Sequence, residues 1–168
     1  VGYKITNDFT FISQLGVGSY GTVKLAVNNS TGEKVAIKIA RGTTSVDMLK
    51  SEAEILKDIE SAYFPKYVDY KIEIEQNRAY LIMEYIEGDS LDQYLASNLR
   101  LEETLATKFL ITLVRAIDLL HSKGIVHRDI KPQNVMITAA GELKLIDFNI
   151  SKRICTSGRN SVDESSTC

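Results

Sequence analysis

The sequence predicts an α+β fold: an antiparallel sheet carrying one helix, followed by a mainly helical part. Three observations predict it. Several short segments in the first half alternate apolar and polar residues at the period of a strand, one segment there has helical spacing, and a long apolar stripe at helical spacing dominates the second half. With 44% hydrophobic residues and a formal charge of −2, the 168 residues can build a core and carry no basic excess that would suggest a nucleic-acid partner. No apolar run is long enough to span a bilayer, and no charged-then-apolar leader opens the chain. Cys155 and Cys168 are too few and too poorly placed for a disulfide framework or a metal site, so a reducing setting, cytoplasmic or nuclear, is expected.

The first motif is the G-x-G-x-x-G-x-V run within Leu15 to Val23. Alone it is weak, because dinucleotide-binding units share it. In such units the last glycine opens a helix, but here Val23, Leu25 and Val27 alternate with Thr22, Lys24 and Ala26, the period of a strand. A Walker A loop is excluded because Thr22 stands where its lysine must be. Asn28 to Gly32 reads as a turn, and Val35, Ile37 and Ile39 resume the alternation with Lys38 among them. A single strand lysine is usually a solvated edge. The next helix changes that reading. Between Val46 and Ser61, Leu49, Ala53 and Leu56 share a face with Glu52, a carboxylate that needs a partner, while Lys50 and Glu54 read as an exposed pair. Thr44 or Ser45 is expected to cap this helix.

Two further strands, Tyr67 to Glu75 and Arg78 to Glu84, flank a Gln76-Asn77 turn and complete a sheet of about five strands. The pattern breaks across Met83 to Asp89. A short helix from Leu91 to Leu99 and a long one from Glu102 to Lys123, closed by Gly124, follow. In the long helix Leu105, Phe109, Leu113, Ile117 and Leu120, with Ala106, Leu110 and Val114, form a stripe wide enough to predict burial over much of its circumference. His121 is expected to pack against or cap its end and has no chemical role.

The run from His127 to Asn134, followed by Asp147-Phe148-Asn149, brings a possible general base and hard oxygen ligands to one short stretch. Asp129 is placed to accept the proton of an attacking hydroxyl, and Asn134 and Asp147 offer oxygens of the kind Mg²⁺ takes. Lys131, between Asp129 and Asn134, can stabilise charge that develops on a phosphoryl group. Val135 to Ile137 and Leu143 to Leu145, turned through Ala139-Ala140-Gly141, form a hairpin leading to Asp147.

Together and in this order, these motifs resemble those of eukaryotic-type protein kinases, and Lys131 matches the serine/threonine class. The resemblance implies a two-lobed fold: a five-stranded antiparallel N-lobe with one helix (1–84), a hinge (85–88), the start of a helical C-lobe with the catalytic loop (89–149) and a partial activation segment (150–168). It implies transfer of the γ-phosphoryl group of ATP, with Mg²⁺, to serine or threonine hydroxyls of a protein substrate. Asp129 is then the base, Lys131 the charge stabiliser, Asn134 and Asp147 the Mg²⁺ ligands, and Lys38 paired with Glu52 the clamp on the nucleotide phosphates. Leu15, Gly16, Val17, Gly18, Ser19, Gly21 and Val23 would form a flap over the nucleotide. Ala36, Met83 and Met136 would line the base pocket, with Met83 as gatekeeper and backbone groups of Glu84 and Ile86 meeting the adenine. His127 would be architectural. The resemblance leaves the oligomeric state open.

Two departures stand against it. Asn149 replaces the usual glycine after Asp147-Phe148, which bears on switching more than on metal binding, because asparagine tolerates left-handed backbone. The polar stretch from Ile150 to Cys168 lacks periodicity and the motif that ends an activation segment, so the resemblance covers only about two-thirds of such a domain. An ATP-binding module of the same fold without efficient transfer, and a small-molecule kinase, remain alternatives.

Overall fold

Five strands form the first sheet: β1 (Phe9–Val17), β2 (Gly21–Asn28), β3 (Lys34–Arg41), β4 (Tyr67–Glu73) and β5 (Arg78–Glu84), antiparallel in the order β1-β2-β3-β5-β4. The computed structural model describes residues 2–17, 21–98, 100–126, 130–146 and 152–153. Central β3 is buried from Val35 to Ala40, which strand alternation alone does not foretell. Its two faces meet different partners. Val35, Ile37 and Ile39, with Tyr80 and Ile82 of β5, pack under Ile5 and Phe9, while Ala40, Ala79 and Leu81 face the helix inserted after β3. The N-terminal residues are held there by Glu73, whose buried carboxylate accepts the Ile5 N–H and the Tyr80 hydroxyl, each at 2.9 Å. Burial, then this hydrogen bond, pushes the Tyr80 phenol up, so it stays protonated and can donate.

The inserted helix α1 runs Thr43–Asp58, three residues earlier at each end than the sequence pattern predicts. Neither Thr44 nor Ser45 caps it. Gly42, with φ 86°, occupies the cap position: its positive φ turns the chain out of β3, its N–H donates to the Asn77 carbonyl at 3.0 Å, and its carbonyl accepts from Val46 at 2.9 Å. The run Gly-Thr-Thr-Ser offers four residues able to start a helix. Docking against the β4–β5 turn selects the first. That turn also differs from expectation, since β4 ends at Glu73 and a 3₁₀ turn, Ile74–Gln76, precedes left-handed Asn77.

Below β5, the chain forms β6 (Gly88–Ser90), α2 (Leu91–Asn98), α3 (Glu103–Ser122), β7 (Ile125–Val126), β8 (Val135–Thr138), β9 (Leu143–Leu145) and β10 (Lys152–Arg153). The predicted β8–β9 hairpin gains a third strand in β6. Gly88 explains the close fit. Its φ is 155° and an added Cβ would lie 1.9 Å from the Ile137 carbonyl oxygen, so any side chain there would push β6 off β8. Lys152–Arg153 pair antiparallel with Ile125–Val126, a strand too short to register as periodicity.

The apolar stripe of α3 is covered only in part. Only Phe109, Ala116 and Leu120 are fully buried; Ala106 and Leu110 are exposed, and Val114 is 57% exposed. The His121 side chain is exposed too, and the helix is closed instead by Gly124 (φ 69°), whose N–H donates to the His121 carbonyl at 3.0 Å. One buried cluster runs from Ala40 and Leu81 of the sheet through Leu49 and Leu56 of α1 and Phe64 to Leu120 of α3 and Leu145 of β9, so sheet, helices and hairpin share a core. Among the described residues, no helix is long and apolar enough to cross a membrane.

Candidate active site

Strand pairing assembles the upper part of the site. Val23 lies opposite Lys38, and Lys38 opposite Leu81; two residues along, Leu25 pairs with Ala36, and Ala36 with Met83. Because side chains alternate along a strand, Val23, Ala36, Lys38 and Met83 share one face. Lys38 reaches Glu52 of α1. Its Nζ donates to Glu52 Oε2 at 3.0 Å and Oε1 at 3.2 Å, and both side chains are 3% exposed. Two charges so removed from water are tolerated because each neutralises the other with good geometry. The structure thus brings together the pair that the resemblance implies, 14 residues apart in the chain.

The flap is carried by β1 and β2, with Gly16 opposite Val23 and Val17 opposite Thr22. Irregularities in register fall at Ile12 and at Leu15, and Leu15 and Val17 are exposed. Gly18 and Ser19 lie outside the described residues. The remaining flap glycines differ in kind. A Cβ on Gly21 would meet the Ile39 carbonyl oxygen at 2.3 Å, so this glycine serves the β2–β3 pairing, whereas a Cβ on Gly16 would meet nothing within 4 Å among the described residues. Gly21→Ala is expected to destabilise the fold by about 1–3 kcal/mol through overpacking. Gly16→Ala should leave the melting temperature unchanged and weaken ATP binding, because only a ligand approaching the backbone needs that space. Thermal melts with ATP titration check both, and unchanged ATP affinity in Gly16→Ala removes Gly16 from the nucleotide site.

At the end of β5, the Glu84 N–H donates to the Lys66 carbonyl at 2.8 Å, so any contact of this residue's backbone with a base would use its carbonyl. The Glu84 carboxylate, to which the sequence reading gives no role, accepts the Lys66 N–H at 3.0 Å and Lys144 Nζ at 3.1 Å. A charge pair 60 residues apart carries no local sequence signal. Ile86 is buried, and Met136 lies on β8 opposite Ser90 and Lys144.

Asn134 ends a 3₁₀ turn, Pro132–Asn134, begun by proline at its first position. It is 6% exposed. Its N–H donates to the Lys131 carbonyl at 2.9 Å, and its own carbonyl accepts the Ile146 N–H at 2.8 Å, so the residue before Asp147 is tied to Asn134. Lys131 is exposed at the start of the turn. Asp129 and Asp147, with His127 and Asn149, lie outside the described residues.

A family model described as "Protein kinase domain" matches residues 9–167. Among curated proteins, CBL-interacting serine/threonine-protein kinase 8 of Arabidopsis thaliana is 37% identical over 142 residues, which are 82% of this chain and 32% of the relative. The probable serine/threonine protein kinase IREH1, also of Arabidopsis thaliana, is 34% identical over 87% of this chain and 12% of its own length. The probable serine/threonine-protein kinase MARK-C of Dictyostelium discoideum is 36% identical over 83% of this chain and 19% of its own. The chain thus spans a third or less of the length of these relatives.

Proposed function

Because the chain belongs to the protein kinase domain family, we propose that it transfers the γ-phosphoryl group of ATP to serine or threonine hydroxyls of a protein substrate. The observation that carries this reading is the buried Lys38–Glu52 pair at 3.0 Å, on the same sheet face as Val23, Ala36 and Met83. A lysine oriented by a carboxylate, beneath a glycine flap, is suited to hold nucleotide phosphates.

Within this reading, residues 1–84 bind the nucleotide's upper side, 85–88 connect the lobes and 89–149 carry the reacting groups. The flap from Leu15 to Val23 covers the phosphates, and Ala36, Met83 and Met136 bound the base, with the Glu84 carbonyl and Ile86 backbone meeting its edge. Asp129 orients the acceptor hydroxyl and takes its proton, while Lys131 offsets charge on the transferring group. Asn134 and Asp147 would hold Mg²⁺. Burial of Asn134, and the hydrogen bond that ties it to Ile146, support this assignment, because a hard cation favours such fixed oxygen donors. When bound, Mg²⁺ neutralises phosphate charge. A cytoplasmic signalling role belongs to the same proposal.

Incubation with Mg²⁺, γ-labelled ATP and a generic basic protein, followed by phosphoamino-acid analysis, tests the reading. Phosphoserine or phosphothreonine is expected. Saturable ATP binding without transfer would instead identify a nucleotide-binding module, and phosphotyrosine alone would overturn the acceptor class.

A further inference from the structure

A cavity of about 500 Å³ opens where the C-terminal end of α1, the connection to β4, the end of β5 and β9 meet. Of the described candidate site residues, only Glu84 lines it. Its volume falls in the range of small-molecule sites. Leu56 and Ile59 are each only 2% exposed, so the half-buried Tyr67 ring supplies the accessible apolar wall. The charged lining is Lys57, Lys66 and Lys144 against Glu60 and Glu84. Lys144 and Glu84 neutralise each other at 3.1 Å, which leaves two ammonium groups, Lys57 and Lys66, against Glu60. Lys57 Nζ stands 5.9 Å from the centre of the Tyr67 ring, so cation and flat apolar surface adjoin.

We propose that this cavity is a second ligand site, taking a small aromatic anion whose ring lies against Tyr67 and whose carboxylate is held by Lys57 and Lys66. The site is wired to the hinge. Gly88–Ser90 are fastened to β8 by a strand ladder, and Glu84, just before 85–87, is fastened by its ion pair to Lys144 on β9 of the same sheet. Lys144 and Glu84 line the same cavity, so the negative charge of an anion held by Lys57 and Lys66 also pulls on Lys144 and alters the hold on one end of the hinge. The resulting coupling to nucleotide is reciprocal, and this part rests on the kinase reading.

The probe is 2-naphthoate, with neutral 2-naphthamide as its control, titrated into the protein by ligand-observed NMR. A body of this size predicts a Kd of about 1 mM for 2-naphthoate. The amide should bind at least about fivefold more weakly. Replacing Lys57→Met and Lys66→Met together should weaken 2-naphthoate about tenfold, the scale of two exposed charge contacts, without changing the thermal melt. A Leu110→Ser, Val114→Ser variant, altered on the exposed face of α3, should bind 2-naphthoate as before. Failure to saturate by about 10 mM, equal binding of the amide, or indifference to the lysine substitutions would overturn the site, as would loss of binding in the α3 variant. Saturating ADP should shift the 2-naphthoate affinity without abolishing it. Identical affinity with and without ADP overturns the coupling, and abolition by ADP places the probe in the nucleotide cleft and overturns the site. Phosphoryl transfer in the absence of 2-naphthoate tests the kinase reading separately.

Discussion

Asp129→Asn leaves ATP binding near its original level and lowers phosphoryl transfer by about 10²- to 10⁴-fold. The expectation rests on the loss of one function only. Asparagine keeps the shape and can still hydrogen-bond the acceptor hydroxyl, but it cannot take a proton, so the cost falls on the transition state. In kinetic terms kcat falls while the nucleotide KM hardly moves. In the proposed mechanism the nucleotide is held by the flap, Lys38 and residues 83–86, and this carboxylate is not among its contacts. Initial-rate measurements on the complete protein, with nucleotide binding measured independently, check it. Turnover close to that of the unaltered protein would move the base elsewhere, and loss of nucleotide binding would show that Asp129 is structural.

The second large effect concerns the buried pair. Lys38→Met strands the Glu52 carboxylate, and Glu52→Leu strands the ammonium, at positions where both side chains are 3% exposed. Removing one partner of a buried pair is expected to cost about 3–5 kcal/mol of stability, a large share of the roughly 5–15 kcal/mol that a domain has. Replacing both residues with apolar ones removes the stranded charge, so the Lys38→Met, Glu52→Leu double variant should recover most of that loss. Activity should not recover in any of the three. Urea unfolding gives the stability cycle and transfer assays give the functional one. Additive stability losses would mean that the two charges do not depend on each other. Restored transfer in the double variant would mean that the pair serves the fold alone, and would take the phosphate clamp out of the proposed mechanism.

The residues of the candidate site were legible because their chemistry is local. Alternation around Lys38, the helical spacing that puts Glu52 with Leu49 and Leu56, and the cluster from Asp129 to Asn134 are patterns within short windows. The glycines were legible as a group, but not their separate reasons. Among the described residues Gly16 has no neighbour that a Cβ would meet, while Gly21 is pressed against the Ile39 carbonyl, a distinction that depends on a neighbouring strand. The helix cap was misplaced for a similar cause, since Asn77, 34 residues beyond Thr43, selects the start of α1.

The sequence by itself determined the order of the five strands of the first sheet, the three helices and the β8–β9 hairpin, though not β6, β7 or β10, together with the kinase resemblance and the residue types that would carry the reaction, because these follow from backbone periodicity and side-chain chemistry. Tertiary structure alone decided the geometry in which Lys38 meets Glu52, that Glu73 holds the N-terminal residues over the sheet, and that Glu84 joins Lys66 and Lys144. It also decided how far α3 is covered, leaving Ala106, Leu110 and Val114 of the stripe exposed. A stripe reports which surface would gain from leaving water, at about 25 cal/mol per Å². Only the packing of other elements reports whether anything covers it.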